Sequence, residues 1–212
     1  MMTIQYSTMQ ECDFDEAVSL LVAAFQNSPF YRYCAPDEAE RQKFLIATFR
    51  YRLRQSIGVH DIELALRGDR IAGIAVWIPP DLSSEPPPEF LKKALSVFSP
   101  GLGERFSAFL NIFTAAREQV IQQPFWSLAP LAILPEEQGK GLVRGLIQRK
   151  LAEIDGSALP CFLGTQDRIN TTIYGNYGFK LVREDPIAPP DILNYTMIRN
   201  SALIRGPRPS RA

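Results

Sequence analysis

Cysteine and histidine are scarce in this chain. Its 212 residues include only three cysteines, Cys12, Cys34 and Cys161, and a single histidine, His60. The cysteines are odd in number and widely spaced, so they match neither a metal-binding spacing nor a disulfide framework. We therefore expect no metal site, and we expect a reducing, cytoplasmic setting for the protein.

The sequence also lacks long apolar runs and an excess of charge of either sign. No apolar stretch approaches the about 20 residues that a membrane-spanning helix requires, and the N-terminus does not have the pattern of a signal peptide. The 23 basic residues balance 23 acidic ones, whereas proteins that bind nucleic acid through its phosphates carry a basic excess. These absences predict a protein that binds neither membranes nor nucleic acid.

The C-terminal segment is the exception to this charge balance. Residues 201–212 form a basic, proline-containing tail with Arg205, Arg208 and Arg211 and no acid. We expect a solvated chain end, and a nucleic-acid or membrane role for the tail is the minor alternative. The apolar content of 46% is enough for the core of a single domain, which we place at residues 1–200.

The first third of the chain has the apolar spacing of helices. A helix is predicted to begin at Asp13, with Glu16 as its capping-box partner. A loop is predicted for residues 27–35, and a second helix follows Pro36 and ends near Gly58. A short strand at residues 3–7 precedes both helices.

The centre of the chain predicts a hairpin and a helical insert. Two apolar segments, residues 59–66 and 71–78, flank the turn signal Gly68-Asp69 and indicate an antiparallel pair. Two helices then follow, at residues 89–98 and 104–120, and together they form an insert at residues 89–120. A proline-rich connector separates the insert from the hairpin.

The last third of the chain alternates between strands and helices. Strands are predicted at residues 125–134, 161–165, 179–183 and 192–198, and helices at residues 142–154, stopped by Gly156, and at residues 171–177. A strand, a helix and a second strand in this order form a right-handed unit with parallel strands. The chain is therefore predicted to be an α/β protein with a sheet of mixed direction.

The segment Leu131–Leu146, LAILPEEQGKGLVRGL, carries the clearest chemical signal. It has the pattern of a strand, a turn at Pro135, a glycine loop and a helix. The first N–H groups of a helix have no acceptor inside the helix and lie at its positive end, where they bind phosphate. Glycines such as Gly139 and Gly141 let a pyrophosphate approach the backbone closely.

Two better-known phosphate motifs do not fit this loop. The dinucleotide fingerprint G-x-G-x-x-G fails because Arg144 stands at its third glycine position. The P-loop pattern fails because Leu134 stands at its first glycine and Gly141 at its hydroxyl position. The loop retains Gln-x-x-Gly-x-x after a strand and a proline, beginning at Gln138.

A second segment gives this loop a context. Residues 159–179, LPCFLGTQDRINTTIYGNYGF, contain Asn170, Tyr174, Gly178 and Phe179 in the pattern N-x-x-x-Y-x-x-x-G-F. Together the two segments resemble the GCN5-related N-acetyltransferase (GNAT) family, in which a Q/R-x-x-G-x-G/A loop holds the pyrophosphate of acetyl-coenzyme A. Residues 125–141, FWSLAPLAILPEEQGKG, also resemble the branch with puromycin and small-amine acetyltransferases.

The resemblance implies a fold and a set of site residues. The fold would be a mixed, mostly antiparallel central sheet with a splayed parallel pair of strands, flanked by helices, and the insert would cover the acceptor side. Backbone groups on the strand would polarise the thioester carbonyl and pair with the pantetheine arm. The residues implied to bind coenzyme A are Leu131, Ala132, Ile133, Gln138, Gly139, Lys140, Gly141, Leu142, Val143, Arg144, Asn170 and Tyr174.

Tyr174 is the candidate general acid. A phenol has a reference pKa of about 10, so at neutral pH it can give its proton to a departing thiolate. Packing in the core is the alternative role for this side chain. Asn170 lies one helical turn before Tyr174, and it either binds the cofactor or caps the short helix.

The sequence departs from the family pattern in two places. Val143 stands where the family prefers Gly or Ala, although Gly145 nearby could relieve its bulk. In many relatives a glutamate on the glycine-loop strand serves as the base, but no carboxylate lies between Glu118 and Glu136. The remaining candidates for the base are Glu63, Asp81, Glu118, Asp185 and Asp191, or a relay through water and backbone, while His60 is expected to be structural.

Aromatic side chains are the last candidates for the acceptor site. They are numerous enough to line an apolar substrate pocket, and core packing is the alternative for most of them: Phe30, Tyr31, Phe106, Phe109, Phe113, Phe125 and Trp126.

The sequence therefore predicts an N-acetyltransferase. It would transfer the acetyl group of acetyl-coenzyme A directly to a primary amine of a small molecule, without a metal. A binding or sensor module of the same fold, without turnover, is the alternative, and transfer to protein amines is disfavoured by the insert. Homodimers are common in the family.

Overall fold

Seven strands form one mixed sheet in the computed structural model, which describes residues 3–80, 82, 93–188 and 191–201. The order across the sheet is β1-β2-β3-β4-β5-β7-β6. The strands are β1 (Ile4–Thr8), β2 (Asp61–Arg67), β3 (Arg70–Ile78), β4 (Trp126–Ile133), β5 (Cys161–Thr165), β6 (Lys180–Ala188) and β7 (Ile192–Arg199). The β4–β5 pair is parallel and the other neighbours are antiparallel, which confirms the predicted fold class.

Six α-helices connect and cover these strands in the described part of the chain. They are α1 (Phe14–Phe25), α2 (Pro29–Cys34), α3 (Glu38–Ser56), α4 (Pro100–Val120), α5 (Leu142–Gly156) and α6 (Arg168–Gly175). Residues 93–95, before α4, are also helical. Three predicted features lie partly or wholly outside the described residues: the proline-rich connector with the candidate base Asp81, the start of the helix predicted at residues 89–98, and the tail predicted at residues 201–212, beyond its first residue.

Each face of the sheet buries its own apolar cluster. Helices α1 to α4 pack on one face, whose strand residues include Ile74 and Val76. Helices α5 and α6 pack on the other face, whose strand residues include Ala75 and Trp77. Successive strand residues point to opposite faces, so β3 is buried on both sides, as its continuous apolar sequence requires. The sheet therefore separates a face with the glycine-loop helix α5 from a face with the insert helix α4.

The helix at the N-terminus begins where it was predicted, but without the predicted cap. Asp13 precedes α1, but its carboxylate accepts a hydrogen bond from the N–H of Gln10 at 2.7 Å and does not cap α1. Glu16 accepts a hydrogen bond from the N–H of Ile71 at 2.8 Å. The predicted capping box is wrong because both carboxylates bond backbone groups outside the helix.

Two other predicted boundaries also differ from the structure. The loop predicted at residues 27–35 contains α2, which begins at Pro29, a residue whose fixed φ suits the first turn of a helix. Gly156 does not stop α5 but is its last residue, and the turn that follows has Ala158 at φ 58°. The turn of the β2–β3 hairpin is as predicted, with Gly68 at φ 63°.

Candidate active site

A cleft opens where β4 and β5 separate. The two strands pair at only two positions in the described sheet, Trp126 with Cys161 and Ser127 with Phe162. Each strand keeps its other neighbour beyond this point, since β4 stays paired with β3 and β5 with β7. We call Ser127 and Phe162 the fork. The splayed pair of strands that the sequence resemblance implies is therefore present.

A bulge at Ala129-Pro130 shapes the β4 side of this cleft. The β3–β4 register shifts between Ala75 and Trp77, which pair with Leu131 and Leu128. The peptide bond between Ala129 and Pro130 is cis. Proline has no N–H for a ladder hydrogen bond, so Pro130 accounts for the bulge at this point of β4.

The three strand residues that follow the bulge do not all face the cleft. The N–H of Leu134 donates to the carbonyl of Ala72 on β3 at 3.0 Å. Backbone groups alternate in direction along a strand, so Ala132 is also turned toward β3. Leu131 and Ile133 direct their backbone groups into the cleft.

The glycine loop follows β4 and leads directly into α5. Gly139 has φ 75° and Gly141, the residue just before α5, has φ 83°. Both values lie in the left-handed region that favours glycine. A Cβ atom at either position would meet no protein atom within 4 Å, so the loop is open above its backbone. The first N–H groups of α5, those of Leu142 and Val143, have no acceptor inside the helix.

Ion pairs from the β2–β3 hairpin hold this loop in place. Arg67 donates to Glu137 at 2.8 Å through Nε and approaches it at 2.7 Å through Nη2. Lys140 lies 3.2 Å from the same carboxylate, and Arg70 lies 2.9 Å from Glu136. The hydrogen bond from Arg67 lowers the pKa of Glu137. We call the Arg67–Glu137–Lys140 group the loop clamp.

The other side chains of the loop have distinct surroundings. Gln138 donates through Nε2 to the carbonyl of Ile133 at 3.3 Å, so it braces the loop against β4. Arg144 is exposed and donates to Gln148 at 2.9 Å. Val143 is partly buried and packs against the apolar cluster under α5. Gly145 leaves room for Tyr6, because a Cβ at this position would lie 1.9 Å from the Tyr6 ring.

Tyr174 lies on α6, on the same face of the sheet as α5. It packs with Phe179, the ring centroids being 5.9 Å apart, and burial raises the pKa of its phenol above its usual range. Its hydroxyl makes no hydrogen bond to the described residues, and it is not among the fully buried side-chain atoms without a partner. The phenol is therefore protonated at neutral pH, and its hydroxyl has no partner among the described residues.

Asn170 has a local partner on the neighbouring strand. Its amide donates to the Thr165 hydroxyl at 2.9 Å, and the helix is capped by Asp167, which accepts from Ile169 N–H at 3.2 Å. Of the two roles left open for Asn170, the cap is wrong. Its amide N–H ties α6 to the end of β5.

Two of the candidate bases are held in ion pairs. Glu63 accepts a hydrogen bond from Arg149 at 2.8 Å, and Asp185 accepts two from Arg183 at 2.7 and 2.8 Å. Both carboxylates are buried. A carboxylate that is neutralised in this way is a poor acceptor for an amine proton.

His60 is buried and lies near the bulge. Its Nδ1 is 2.8 Å from the Ser56 hydroxyl, and burial lowers its pKa. The cavity that it lines with Ala129 and Pro130 has a volume of about 10 Å³, which is no more than a single water needs. The packing agrees with the structural role expected of His60.

A larger cavity opens beside the fork, on the face of α4. Its volume is about 520 Å³. We call it the fork cavity; its lining residues are Ile78, Leu82, Arg117, Glu118, Ile121, Gln122, Phe125 and Ser127. Glu118 is the one candidate base that lines it. This cavity could not be predicted from the sequence, because its walls come from β3, α4 and β4, which are separate segments of the chain.

Most of the aromatic candidates belong to the core. Phe30, Tyr31, Phe106 and Phe109 are buried in the cluster under α1 to α4. Phe125 differs, because it is partly exposed and lines the fork cavity. Core packing is therefore the role of four of these side chains.

No family model matches this sequence. An uncharacterized N-acetyltransferase of Schizosaccharomyces pombe is 27% identical over 198 residues, which cover 85% of this chain and 78% of that protein.

Solved structures with the same fold span almost the whole chain. The histone acetyltransferase HPA2-related acetyltransferase of Corynebacterium glutamicum has a TM-score of 0.69 and 21% identity, over 99% of this chain and 100% of that one. The polyamine N-acetyltransferase of Drosophila melanogaster has a TM-score of 0.64 and 15% identity, over 93% of this chain and 100% of that one. The PaiA N-acetyltransferase of Thermoplasma acidophilum, solved with coenzyme A, has a TM-score of 0.59 and 11% identity, over 94% of this chain and 99% of that one.

The chain thus has the fold of the GNAT acetyltransferases, and its resemblance to them is confirmed. The Schizosaccharomyces pombe relative is named an N-acetyltransferase, as the two motifs predict for this chain. In the described residues, no helix is long and apolar enough to span a membrane, and no group of three acidic, histidine or cysteine side chains could hold a metal ion.

Proposed function

We propose that this protein transfers the acetyl group of acetyl-coenzyme A to a primary amine of a small molecule. The observation that carries the proposal is the open glycine loop at the start of α5, beside the β4–β5 cleft. Such a helix start binds phosphate groups, and the cleft offers the backbone groups of Leu131 and the N–H of Ile133, whose carbonyl accepts from Gln138, to an extended amide-containing arm. The amine acetyltransferases with the same fold support the choice of acceptor.

The site residues have separate roles in this proposal. The backbone N–H groups of Gly139, Gly141, Leu142 and Val143 would bind the pyrophosphate. Lys140 and Arg144 would add positive charge near it, and Gln138 would keep the loop against β4. Asn170 would position α6, which carries Tyr174.

The reaction requires no covalent enzyme intermediate. The amine nitrogen forms a bond to the thioester carbonyl carbon, whose oxygen is stabilised by a cleft-facing N–H of β4. The C–S bond then breaks, and Tyr174 gives its proton to the departing thiolate. The nitrogen loses a proton to water, which returns a proton to the Tyr174 oxygen, so that amide and thiol are the products.

The loop can be tested with two matched glycine substitutions. Gly141→Ala places a methyl group where a phosphate would approach, and the control Gly58→Ala places one at φ 75°, also with no protein atom within 4 Å. Both variants carry a similar backbone strain, of about 1 kcal/mol. Calorimetric titration with acetyl-coenzyme A should show an at least tenfold loss of affinity for Gly141→Ala and none for Gly58→Ala.

Turnover separates an enzyme from a binding module. Release of free thiol from acetyl-coenzyme A in the presence of primary amines supports the transferase. Tight binding without thiol release for any amine would instead support the sensor module, which the absence of a carboxylate on β4 favours. Equal affinity of both glycine variants for acetyl-coenzyme A would show that the glycine loop does not bind the donor.

Setting and assembly belong to the same proposal. All three cysteines are free, Cys34 and Cys161 being buried and Cys12 exposed, and free thiols fit a reducing, cytoplasmic compartment. We retain the homodimer as a prediction from the family resemblance, and we include neither nucleic acid nor membrane among the partners.

A further inference from the structure

The fork cavity lies where the end of an acyl donor would be expected. Ser127 is the last residue of β4 to pair with β5, and it lines the cavity. The glycine loop lies at the opposite end of β4. A donor that binds its pyrophosphate at the loop and extends along β4 would therefore bring its thioester toward Ser127. This position suits the second substrate.

The cavity is large enough to hold a small molecule. Its volume of about 520 Å³ is within the about 300–1,000 Å³ that such sites occupy. Ile78, Leu82, Ile121 and Phe125 form its apolar part. Phe125 also packs near Phe162 at the fork, with ring centroids 5.7 Å apart. The apolar part can hold an alkyl or aryl group of the acceptor.

The charges in the cavity favour a cation. Arg117 and Glu118 both line it, but Arg117 already has an interaction partner. Glu118 is exposed and has no hydrogen bond or ion pair with the described residues, in contrast to the paired Glu63 and Asp185. Its carboxylate is therefore available to attract an ammonium group.

We propose that the fork cavity is the acceptor site and that its substrate is a primary amine on an apolar, aryl-sized arm, attracted by Glu118. This inference rests on the proposed acetyltransferase function. Glu118 acts as a specificity residue, and the apolar wall selects the arm. A carboxylate on the substrate would lie near Glu118 and would be repelled.

A panel of four amines tests the class of substrate. Phenethylamine, phenylalanine, ethylamine and putrescine differ by a carboxylate, an aryl group and a second ammonium group. We expect phenethylamine to have the highest kcat/KM with acetyl-coenzyme A. A higher value for phenylalanine would show that Arg117 binds a carboxylate, and a higher value for putrescine or ethylamine would show that the apolar wall is not used; each result would overturn the inference.

Two carboxylate substitutions on the same helix test the cation. Glu118→Gln should raise the KM for phenethylamine about two- to fivefold, the size expected for one exposed ion pair, without changing the KM for acetyl-coenzyme A. The control is Glu104→Gln, which removes an exposed carboxylate near the start of α4. Equal KM values in the two variants would exclude Glu118 from the site.

The variant Phe125→Ala tests the apolar wall independently of folding. The ratio of kcat/KM for phenethylamine to that for ethylamine should fall at least fivefold, and a partly unfolded sample would lower both values together. An unchanged ratio would contradict the assignment. Failure to bind acetyl-coenzyme A or to acetylate any amine would overturn the proposed function itself, whereas turnover with a different preference would overturn only this inference.

Discussion

Replacing Tyr174 with phenylalanine removes one oxygen from the candidate site and leaves the packing intact. The ring contact with Phe179 is kept, because phenylalanine fills the same space. The lost hydroxyl makes no hydrogen bond to the described residues, so the variant forfeits none of the about 0.5–1.5 kcal/mol that such a bond contributes to stability. We expect its melting temperature to equal that of the wild type.

The rate should respond very differently from the stability. General acid catalysis contributes about 100- to 10,000-fold, so kcat for thiol release should fall at least about 100-fold, which is about 2.7 kcal/mol in the activation barrier. Affinity for acetyl-coenzyme A, measured by calorimetry, should change less than about twofold, because the hydroxyl acts on the leaving thiolate. The matched control is Tyr177→Phe, a partly buried tyrosine in the turn after α6.

The pH profile gives a second readout. The acid is active only while it is protonated, so activity is lost as pH rises through the pKa of Tyr174. Burial raises that pKa above its usual range, and an ordinary phenol titrates near about 10. The alkaline loss from this group should therefore lie above pH 10. An unchanged kcat in Tyr174→Phe, or an equal loss in Tyr177→Phe, would refute the assignment of the acid.

Two further substitutions test the loop clamp and the packing of α4 against β5. Glu137→Gln should raise the KM for acetyl-coenzyme A in steady-state assays and leave kcat unchanged. The substitution weakens the ion pairs of Glu137 with Arg67 and Lys140 but changes no residue of the cleft. A lower kcat at unchanged KM would contradict this role. Gly164→Ala should lower the free energy of unfolding in urea by about 1–3 kcal/mol, since its Cβ would lie 2.4 Å from the Phe113 ring on α4; an unchanged midpoint would contradict this packing.

The β2–β3 hairpin and the glycine loop could be predicted from sequence because their signals are local. The β2–β3 turn depends on Gly68, and the loop depends on glycines at φ 75° and 83°. The N-terminal helix cap could not be predicted in this way. Asp13 and Glu16 have the capping-box spacing, but the N–H of Ile71, 55 positions further along the chain, is the partner of Glu16. A spacing rule does not include such a competitor.

The loop clamp could not be predicted either, because its partners are distant along the chain. Arg67 and Glu137 are 70 positions apart, and nothing in either local sequence marks the pair. The hairpin turn that was predicted correctly is nevertheless what brings Arg67 and Arg70 to the loop. Predicting the β2–β3 hairpin correctly was therefore not enough to predict its ion pairs with the glycine loop.

The two substrates of the proposed reaction place different demands on the sequence. Binding of a pyrophosphate uses backbone N–H groups at one helix start, so the requirement is a short run of residues that includes Gly139 and Gly141. Binding of the acceptor uses side chains that β3, α4 and β4 bring together at the fork cavity. Because no short segment contains this second site, its lining can change while the loop and the sheet stay the same. Donor binding is thus predictable from a motif, and acceptor choice requires the folded chain.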